Sequence, residues 1–248
     1  MTRAALVAAH PDDEILWLSP AVAAADPLVL CFGAPFANPA RAASRARAVA
    51  ALGLPRLVNL NLPESGARPH VDWTPPHLTP FGIGITDLAA RARYEANFHS
   101  LVERLRLVLQ GVEAVYTHNP WGEYGHPEHI QVHRAVGTLQ AELGFTLWFS
   151  GYVAPLSLGL ARQLGAEPLW REKRVAAPDV RLARRLRGVY LRYRAWTWSP
   201  FHVWPAWETL YAQPPGPRAG WRGLRGETLL DATRLRWWVA PAKAKCLI

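Results

Sequence analysis

The segment AALVAAHPDDE, residues 4–14, is the part of the chain that decides its fold. An uninterrupted run of small apolar residues leads up to His10, which is typical of a strand buried on both faces. Pro11 and the three acidic residues after it suit the first turn of a helix, where the helix dipole favours negative charge. The segment therefore predicts a strand, a tight turn and a helix, with His10 at the carboxyl end of the strand.

Apolar runs and helical patterns continue to alternate along the first two thirds of the chain. Strands are predicted at Leu28–Phe32, Leu57–Leu62, Val112–Thr117 and Phe145–Val153, and helices at Pro39–Leu52, Asp87–Gln110 and Pro127–Leu143. The Pro-, His- and Gly-rich residues 63–86 are expected to form a long functional loop. The alternation predicts the α/β class, as an open, mostly parallel, Rossmann-like sheet with helices on both faces. In such sheets, ligands bind beyond the carboxyl ends of the strands.

The composition changes in the last third of the chain. Residues 179–195 predict an amphipathic helix with several arginines, and tryptophans follow it at positions 196, 198, 204, 207, 221, 237 and 238. Because no linker separates this part, residues 1–248 are expected to form a single domain, with a Trp- and Arg-rich extension from about residue 179 packed on the core. The tryptophans are most simply packing residues. The alternative is that they form a wall for a hydrophobic or anionic acceptor.

The bulk composition is that of a globular protein, with 50% apolar and 19% charged residues. No apolar run reaches the roughly 18 residues of a membrane span, and the N-terminal run lacks a signal-peptide cleavage pattern. A cytoplasmic protein without a transmembrane segment is therefore expected. The two cysteines, Cys31 and Cys246, exclude a disulfide framework and a cysteine-based zinc site, so any bound metal would be held by histidines and carboxylates.

Two distant segments carry the candidate chemistry. The first is HPDDE at residues 10–14, and the second is YGHPEH at residues 124–129, with His133 one helical turn later. Either segment alone has an ordinary explanation as the start of a helix. Together they offer a histidine with a carboxylate three residues on, a histidine from another strand end, and spare acid–base groups beside both. Three such ligands with one open position suit a catalytic zinc, whose bound water can fall in pKa to about 7.

The paired motifs AHPDDE, residues 9–14, and GEYGHPEHIQVH, residues 122–133, resemble the LmbE-like, or PIG-L, family of zinc deacetylases, which includes GlcNAc-phosphatidylinositol de-N-acetylases. The resemblance covers about residues 4–150. It implies a zinc-dependent hydrolase that removes the N-acetyl group from an N-acetylglucosamine-type amino sugar or its conjugate. By matching position, the implied metal ligands are His10, Asp13 and His129. The metal is expected to be Zn²⁺, with another divalent ion left open.

The resemblance also implies roles for residues that do not bind the metal. Asp12 would be the general base that deprotonates the metal-bound water. His126, as an imidazolium, would stabilise the tetrahedral oxyanion or protonate the leaving amine. Tyr124 would help to hold the substrate carbonyl, and Arg41 and Glu64 are expected to face the sugar hydroxyls.

The chain departs from the family pattern at three positions. Glu128 replaces an aspartate that tunes the neighbouring histidine, Ser44 replaces the glutamate three residues after the family's arginine, and Glu64 stands where aspartate is common. Glutamate at position 128 keeps the charge with a longer reach. An altered rate or pH profile is therefore expected, rather than inactivity.

Three other polar residues near the motifs receive a smaller role. His118 lies in a loop and has no partner at a ligand spacing. His133, one turn after His129, is expected to be a partly exposed helix residue, with support of the metal ligands as the alternative. Glu14 is expected to support a histidine or to cap the first helix.

Two other functions stay open. The Trp-rich tail would also suit a zinc amidase that acts on a longer-chain, glycolipid or glycopeptide N-acyl substrate. The net charge of +9 would suit a non-catalytic protein that binds nucleic acid or another anionic partner. Net charge is a generic feature whereas the paired motifs are specific, so no nucleic-acid partner is expected. The predicted partner is a small-molecule amino-sugar conjugate, and a homo-oligomer is left open.

Overall fold

A computed structural model describes residues 3–164 and 172–213. Its strands are β1 (Ala4–Ala8), β2 (Leu28–Ala34), β3 (Leu57–Pro63), β4 (Leu78–Thr79), β5 (Gly82–Ile83), β6 (Ala114–Thr117), β7 (Thr146–Ser150), β8 (Glu172–Ala176) and β9 (Glu208–Gln213). Its helices are α1 (Asp13–Trp17), α2 (Pro39–Ala51), α3 (Leu88–Val108), α4 (Pro127–Leu143), α5 (Pro155–Leu164) and α6 (Val180–Arg192). Trp221, Trp237, Trp238 and Cys246 lie outside the described residues.

Seven of the strands form one sheet in the order β3-β2-β1-β6-β7-β9-β8. The first five are parallel, and β9 pairs antiparallel with both β7 and β8. The predicted open, mostly parallel α/β sheet is confirmed. The strand predicted at Phe145–Val153, which is the last of those predicted, is not the last of the sheet, because β8 and β9 extend the sheet beyond β7. Strand β9 was not predicted, because it lies in a Trp- and Pro-rich stretch and its sequence ETLYAQ lacks a continuous apolar run.

Helices cover both faces of the sheet, and successive residues of β1 serve opposite faces. Val7 packs into the apolar cluster that includes residues of α3, α4 and α5. Leu6 packs into the cluster that includes residues of α1, α2 and α6. Because β1 is buried on both sides, it needs the apolar run that the sequence provides. Strand β1 pairs in parallel with β2 on one side and with β6 on the other, so the carboxyl ends of β1 and β6 lie side by side.

Helix α6 packs on the same face as α1 and α2. Its Leu186 and Tyr190 are fully buried. The Tyr190 hydroxyl donates to Glu14 Oε1 at 2.8 Å, and Arg185 donates to the carbonyl oxygen of Leu52 at 3.2 Å. Helix α6, with which the arginine-rich tail begins, is thus held against α1 by a hydrogen bond. The expected single domain over residues 1–248 stays a prediction. None of the described helices is long and apolar enough to cross a membrane.

Glu208 connects the last described strand to the segment after α1. It is 3% exposed, and its Oε1 accepts a hydrogen bond of 2.7 Å from the Ser19 hydroxyl. Burial, only partly offset by hydrogen bonds from Ser19 and Tyr152, raises the pKa of Glu208 to about 7. A carboxyl that is harder to ionise in the folded state lowers stability as the pH rises.

We predict that Glu208→Gln removes a pH-dependent loss of stability. In the wild type, the contribution of the protonated Glu208 carboxyl to the free energy of unfolding is complete below pH 4.5, where the unfolded carboxyl is also protonated. This contribution is lost as the pH rises through about 7. The loss amounts to about 3 kcal/mol of unfolding free energy. Urea unfolding between pH 4 and pH 8 measures the difference between the variant and the wild type. The exposed Glu142→Gln serves as a control that should keep the wild-type decline, and an unchanged decline in Glu208→Gln would contradict the assignment.

Candidate metal centre

The turn after β1 orients three candidate site residues, His10, Asp12 and Asp13, in different directions. The Asp13 carboxylate accepts from the backbone N–H of His10 at 2.9 Å, and Asp13 N–H donates to the His10 carbonyl at 3.2 Å. Asp12 between them has a φ of 93°, in the left-handed region, which is costly for a non-glycine residue. Its N–H donates to Glu14 Oε2 at 3.0 Å, and its Oδ2 accepts from Thr197 N–H at 2.6 Å. Pro11 thus lies in this turn, and α1 begins only at Asp13.

The second segment follows β6 as a tight turn that leads into α4. Gly122 and Gly125 have φ values of 68° and 89°, and a Cβ at Gly122 would lie 2.5 Å from the carbonyl oxygen of His126. His126 is the N-cap residue of α4, and Pro127 opens the helix. This turn therefore places His126 and His129 over the end of β6, next to the end of β1.

The structure brings His10, Asp13 and His129 together. Asp13 Oδ2 lies 3.0 Å from His10 Nδ1 and 3.0 Å from His129 Nε2. The other carboxylate oxygen, Oδ1, accepts the indole N–H of Trp17 at 2.9 Å, which leaves Oδ2 as the oxygen that faces the imidazoles. His126 joins the group, with its ring centroid 4.8 Å from that of His10 and 4.7 Å from that of His129. All four side chains are buried.

The hydrogen-bond pattern of His129 and His10 requires a positive charge among them. His129 Nδ1 lies 2.7 Å from Glu123 Oε2 and His129 Nε2 lies 3.0 Å from Asp13 Oδ2, so both ring nitrogens of His129 face carboxylate oxygens. His10 has a carboxylate oxygen within 3.0 Å of each ring nitrogen, from Asp13 and from Glu128. A neutral imidazole cannot donate to both. The charge is supplied by protons or by a metal cation, and imidazole nitrogens with carboxylate oxygens are the donor set that zinc accepts.

The pKa values of the metal-free site follow the same electrostatics. Burial opposes the charged form of His10, yet hydrogen bonds with Asp13 and Glu128 and the negative charges of Asp13 and Glu64 raise its pKa to about 9. Burial likewise opposes ionisation of Asp13, but His129 and His10 hold the pKa of this carboxyl well below its usual range. A metal that binds here would displace protons from the histidines.

His126 differs from the other two histidines. Burial, together with the neighbouring His129, His10 and Arg68, lowers the pKa of His126 well below its usual value. Its buried Nδ1 has no hydrogen-bond partner among the described residues. The lowered pKa favours the neutral imidazole at this position over the expected imidazolium.

Sequence reasoning missed His118 and Glu123. His118 is fully buried, its ring stacks on that of His129 at 3.9 Å between centroids, and its Nε2 accepts the Ala9 N–H at 2.8 Å. Its Nδ1–H therefore donates to Glu123 Oε2, at 3.1 Å. The same oxygen of Glu123 holds His129, in the carboxylate–histidine arrangement that orients metal ligands. Ligand atoms of His10, His126 and His129 lie close enough together to share a metal ion, as do those of Asp13, His118 and His129 and those of His10, Glu64 and Glu128. His118 is the least suited of these residues to bind a metal, because Ala9 and Glu123 already engage both of its ring nitrogens.

Two further residues occupy positions that the sequence did not indicate. His133 is buried rather than partly exposed, and its Nδ1 bonds to the carbonyl oxygen of His118 at 2.8 Å. Glu128 contacts His10 of the other segment at 2.9 Å, and its second oxygen accepts from the N–H and hydroxyl of Ser65. The extra methylene of Glu128 relative to aspartate provides this reach.

The centre opens into a cleft of about 700 Å³. Its walls include Arg41, Glu64 and Tyr124, the three residues expected to face the substrate, together with Arg45, Arg68, Arg194, Trp196 and Thr197. Glu64 lies 3.7 Å from His10 Nε2 and forms a short ion pair with Arg45. Arg45, one helical turn after Arg41, was not expected to take part. The tail, for which an acceptor wall was the alternative to simple packing, thus reaches the cleft through Arg194, Trp196 and Thr197.

Three solved structures share this fold. The crystal structure of a deacetylase–teicoplanin complex from teicoplanin biosynthesis has a TM-score of 0.54 at 14% identity, and the match covers 88% of this chain and 100% of that chain. The zinc-inhibited form of a teicoplanin deacetylase has a TM-score of 0.55 at 14% identity, and a deacetylase–bog complex from the same pathway has 0.52 at 16%. Both of these matches cover 85% of this chain and 97% of the other. No family model and no curated protein matches the chain.

We predict that Glu123→Gln lowers the affinity for zinc by about 10- to 100-fold, because a neutral amide oxygen is a weaker acceptor for the imidazole N–H groups and the amide NH₂ cannot accept the Asn119 N–H that Oε1 now accepts. Competition with a chromophoric chelator measures the affinity directly. Glu142→Gln, which removes an exposed carboxylate from the far end of α4, is the matched control and should bind zinc as the wild type does. Equal affinities for Glu123→Gln and this control would show that Glu123 does not orient a ligand.

Proposed function

We propose that this protein is a metal-dependent N-deacetylase that acts on an N-acetylglucosamine-type amino sugar or its conjugate. The observation that carries the proposal is the position of Asp13 Oδ2, 3.0 Å from imidazole nitrogens of both His10 and His129, at the floor of the cleft. The fold shared with deacetylases of teicoplanin biosynthesis supports the same reaction class. The paired sequence motifs point to it independently.

His10, Asp13 and His129 are the residues that we assign to the metal, with zinc as the expected ion. When bound, the cation would supply a water nucleophile at neutral pH and polarise the acyl carbonyl. Glu123 would fix the ring of His129, and Glu128 that of His10. Trp17 would hold the carboxylate of Asp13 so that one oxygen remains for the metal.

Asp12 is the proposed general base. Its carboxylate is buried beside a ligand residue, and the Thr197 N–H fixes one oxygen, so the side chain has a defined orientation. It would take a proton from water as the water oxygen adds to the amide carbon. The same proton would then pass to the amine as the carbon–nitrogen bond breaks, which gives acetate and a free amino sugar.

His126 and Tyr124 are proposed to bind the acyl group. Because the pKa of His126 is lowered, its neutral imidazole would act as a hydrogen-bond donor to the carbonyl oxygen as negative charge develops there. The Tyr124 ring lies 5.8 Å from that of His126, on the wall of the same cleft. Arg41 and Glu64 line the adjoining wall, where we propose that they contact sugar hydroxyls.

A longer acyl group is the second candidate substrate. Trp196 on the cleft wall favours it, because an aromatic surface next to the site can bury an alkyl chain. Comparing acetyl- with hexanoyl-glucosaminides separates the two candidates by their relative kcat/KM.

We predict that Asp12→Asn binds about one equivalent of zinc and loses turnover by a factor of about 10² to 10⁴, because the amide cannot accept the proton. Release of free amine from a panel of N-acetylglucosaminides measures turnover, and elemental analysis measures the metal. His129→Ala should lose both metal and turnover. An Asp12→Asn protein with wild-type turnover would remove Asp12 from the mechanism, and a wild-type protein that releases no amine from any N-acyl glucosaminide would sink the proposed function.

A further inference from the structure

Asp12 has a backbone conformation that its own preferences do not favour. Its φ of 93° lies in the left-handed region, and its side chain is fully buried next to the proposed ligand Asp13. A residue with a side chain keeps such a conformation only where the surrounding structure imposes it. The contacts that impose it on Asp12 therefore decide where the proposed general base points.

Asp12 is held both at its backbone and at its carboxylate. The Asp12 N–H donates to Glu14 Oε2 at 3.0 Å, within the same turn. The Thr197 N–H, from the tail, donates to Asp12 Oδ2 at 2.6 Å. One contact fixes the turn that carries the side chain, and the other fixes the oxygen atoms at its end.

The hydroxyl of Tyr190, on α6, supports the first of these contacts. It donates to Glu14 Oε1 at 2.8 Å, while the other oxygen of the same carboxylate accepts the Asp12 N–H. Tyr190 and Glu14 are both fully buried, so bulk water does not compete for this bond. The hydroxyl therefore limits the rotation of the Glu14 carboxylate and, through it, the movement of the Asp12 backbone.

The backbone carbonyl of Tyr190 supports the second contact. It accepts from the Ala195 N–H at 2.8 Å and from the Trp196 N–H at 3.3 Å, in the turn that ends α6. Arg194 takes a left-handed conformation in this turn, with φ of 56°, as is common where a helix ends. The turn leads directly to Thr197, whose N–H bonds to Asp12.

We propose that Tyr190 is a positioning residue for the general base, and that its hydroxyl acts through Glu14 to keep the Asp12 carboxylate where it can take a proton from water. The inference rests on the role of Asp12 in the proposed function. Because Tyr190 is fully buried in the apolar cluster of α1, α2 and α6, it acts through Glu14 and not by contact with the substrate.

Steady-state kinetics of the zinc-loaded Tyr190→Phe variant test the proposal, because this change removes one oxygen atom and keeps the ring in the core. The substrate is an N-acetylglucosaminide that the wild type hydrolyses. We expect kcat to fall by about 10- to 100-fold, because a displaced base slows the chemical step. KM and the zinc content should stay unchanged, since neither substrate binding nor the ligands are altered.

Tyr193→Phe is the matched control, because it makes the same change one turn further along α6, at a partly exposed side chain. It should keep the wild-type kcat. The double variant Tyr190→Phe/Glu14→Gln separates positioning from a general loss of stability. If the hydroxyl acts through Glu14, the double variant should be no slower than the slower single variant, whereas independent effects would multiply.

An unchanged kcat in Tyr190→Phe, or losses that multiply in the double variant, would overturn the proposal while amine release by the wild type still supports the deacetylase. If no substrate is hydrolysed, hydrogen exchange of the Asp12 amide, measured by NMR, decides instead. The exchange should be about tenfold faster in Tyr190→Phe than in the wild type and Tyr193→Phe. Equal exchange rates in all three proteins would then overturn it.

Discussion

The contacts of the Asp13 carboxylate are the interaction on which the rest of the site depends. One oxygen lies between imidazoles from opposite ends of the first 130 residues, and the other accepts an indole N–H from α1. A buried carboxylate is costly unless it is paired and hydrogen-bonded. Here the contacts with His10 and His129 both stabilise the charge and align proposed metal ligands, while the Trp17 indole orients the carboxylate itself. The same contacts of Asp13 therefore stabilise its buried charge and position the groups proposed to bind the metal.

The sheet explains how such distant residues meet. Strands β1 and β6 are parallel neighbours, so both His10 and the loop from His118 leave the same edge of the sheet. The Ala9 N–H on one strand end bonds to His118 on the other, which fixes the two turns to each other. Glu123 and Glu128 then connect the second turn to the histidines of both segments. The site thus consists of two strand ends joined by hydrogen bonds, and residues 194–197 of the tail cover it on one side.

The parts of the fold with strong local signals could be predicted from the sequence. Helix α4 has the predicted bounds because Pro127 opens it and Gly144, with φ of 80°, ends it. Strand β9 could not be recognised, because its identity depends on pairing with β7 and β8 rather than on its own sequence. Helix α5 was not predicted either, since it follows β7 within a stretch that lacked a clear start signal.

The same distinction holds within the site. The segments that contain His10, Asp13 and His129 carry recognisable motifs, whereas His118 has neither a motif nor a ligand spacing. Its burial arises from contacts across the sheet, which no local pattern records. Glu123 lies between Gly122 and Gly125 in a turn, and nothing local in the sequence indicates that its carboxylate bonds to both His118 and His129. Arg45 was overlooked in favour of Arg41, although residues four apart share a helix face and only Arg45 reaches Glu64.

Anomalous diffraction at the zinc edge, from crystals of the zinc-loaded protein, tests the central claim most directly. The account predicts one strong peak about 2.0–2.2 Å from imidazole nitrogens of His10 and His129 and from a carboxylate oxygen of Asp13. A peak held instead by Glu64 and Glu128, or the absence of any peak within reach of Asp13, would contradict it.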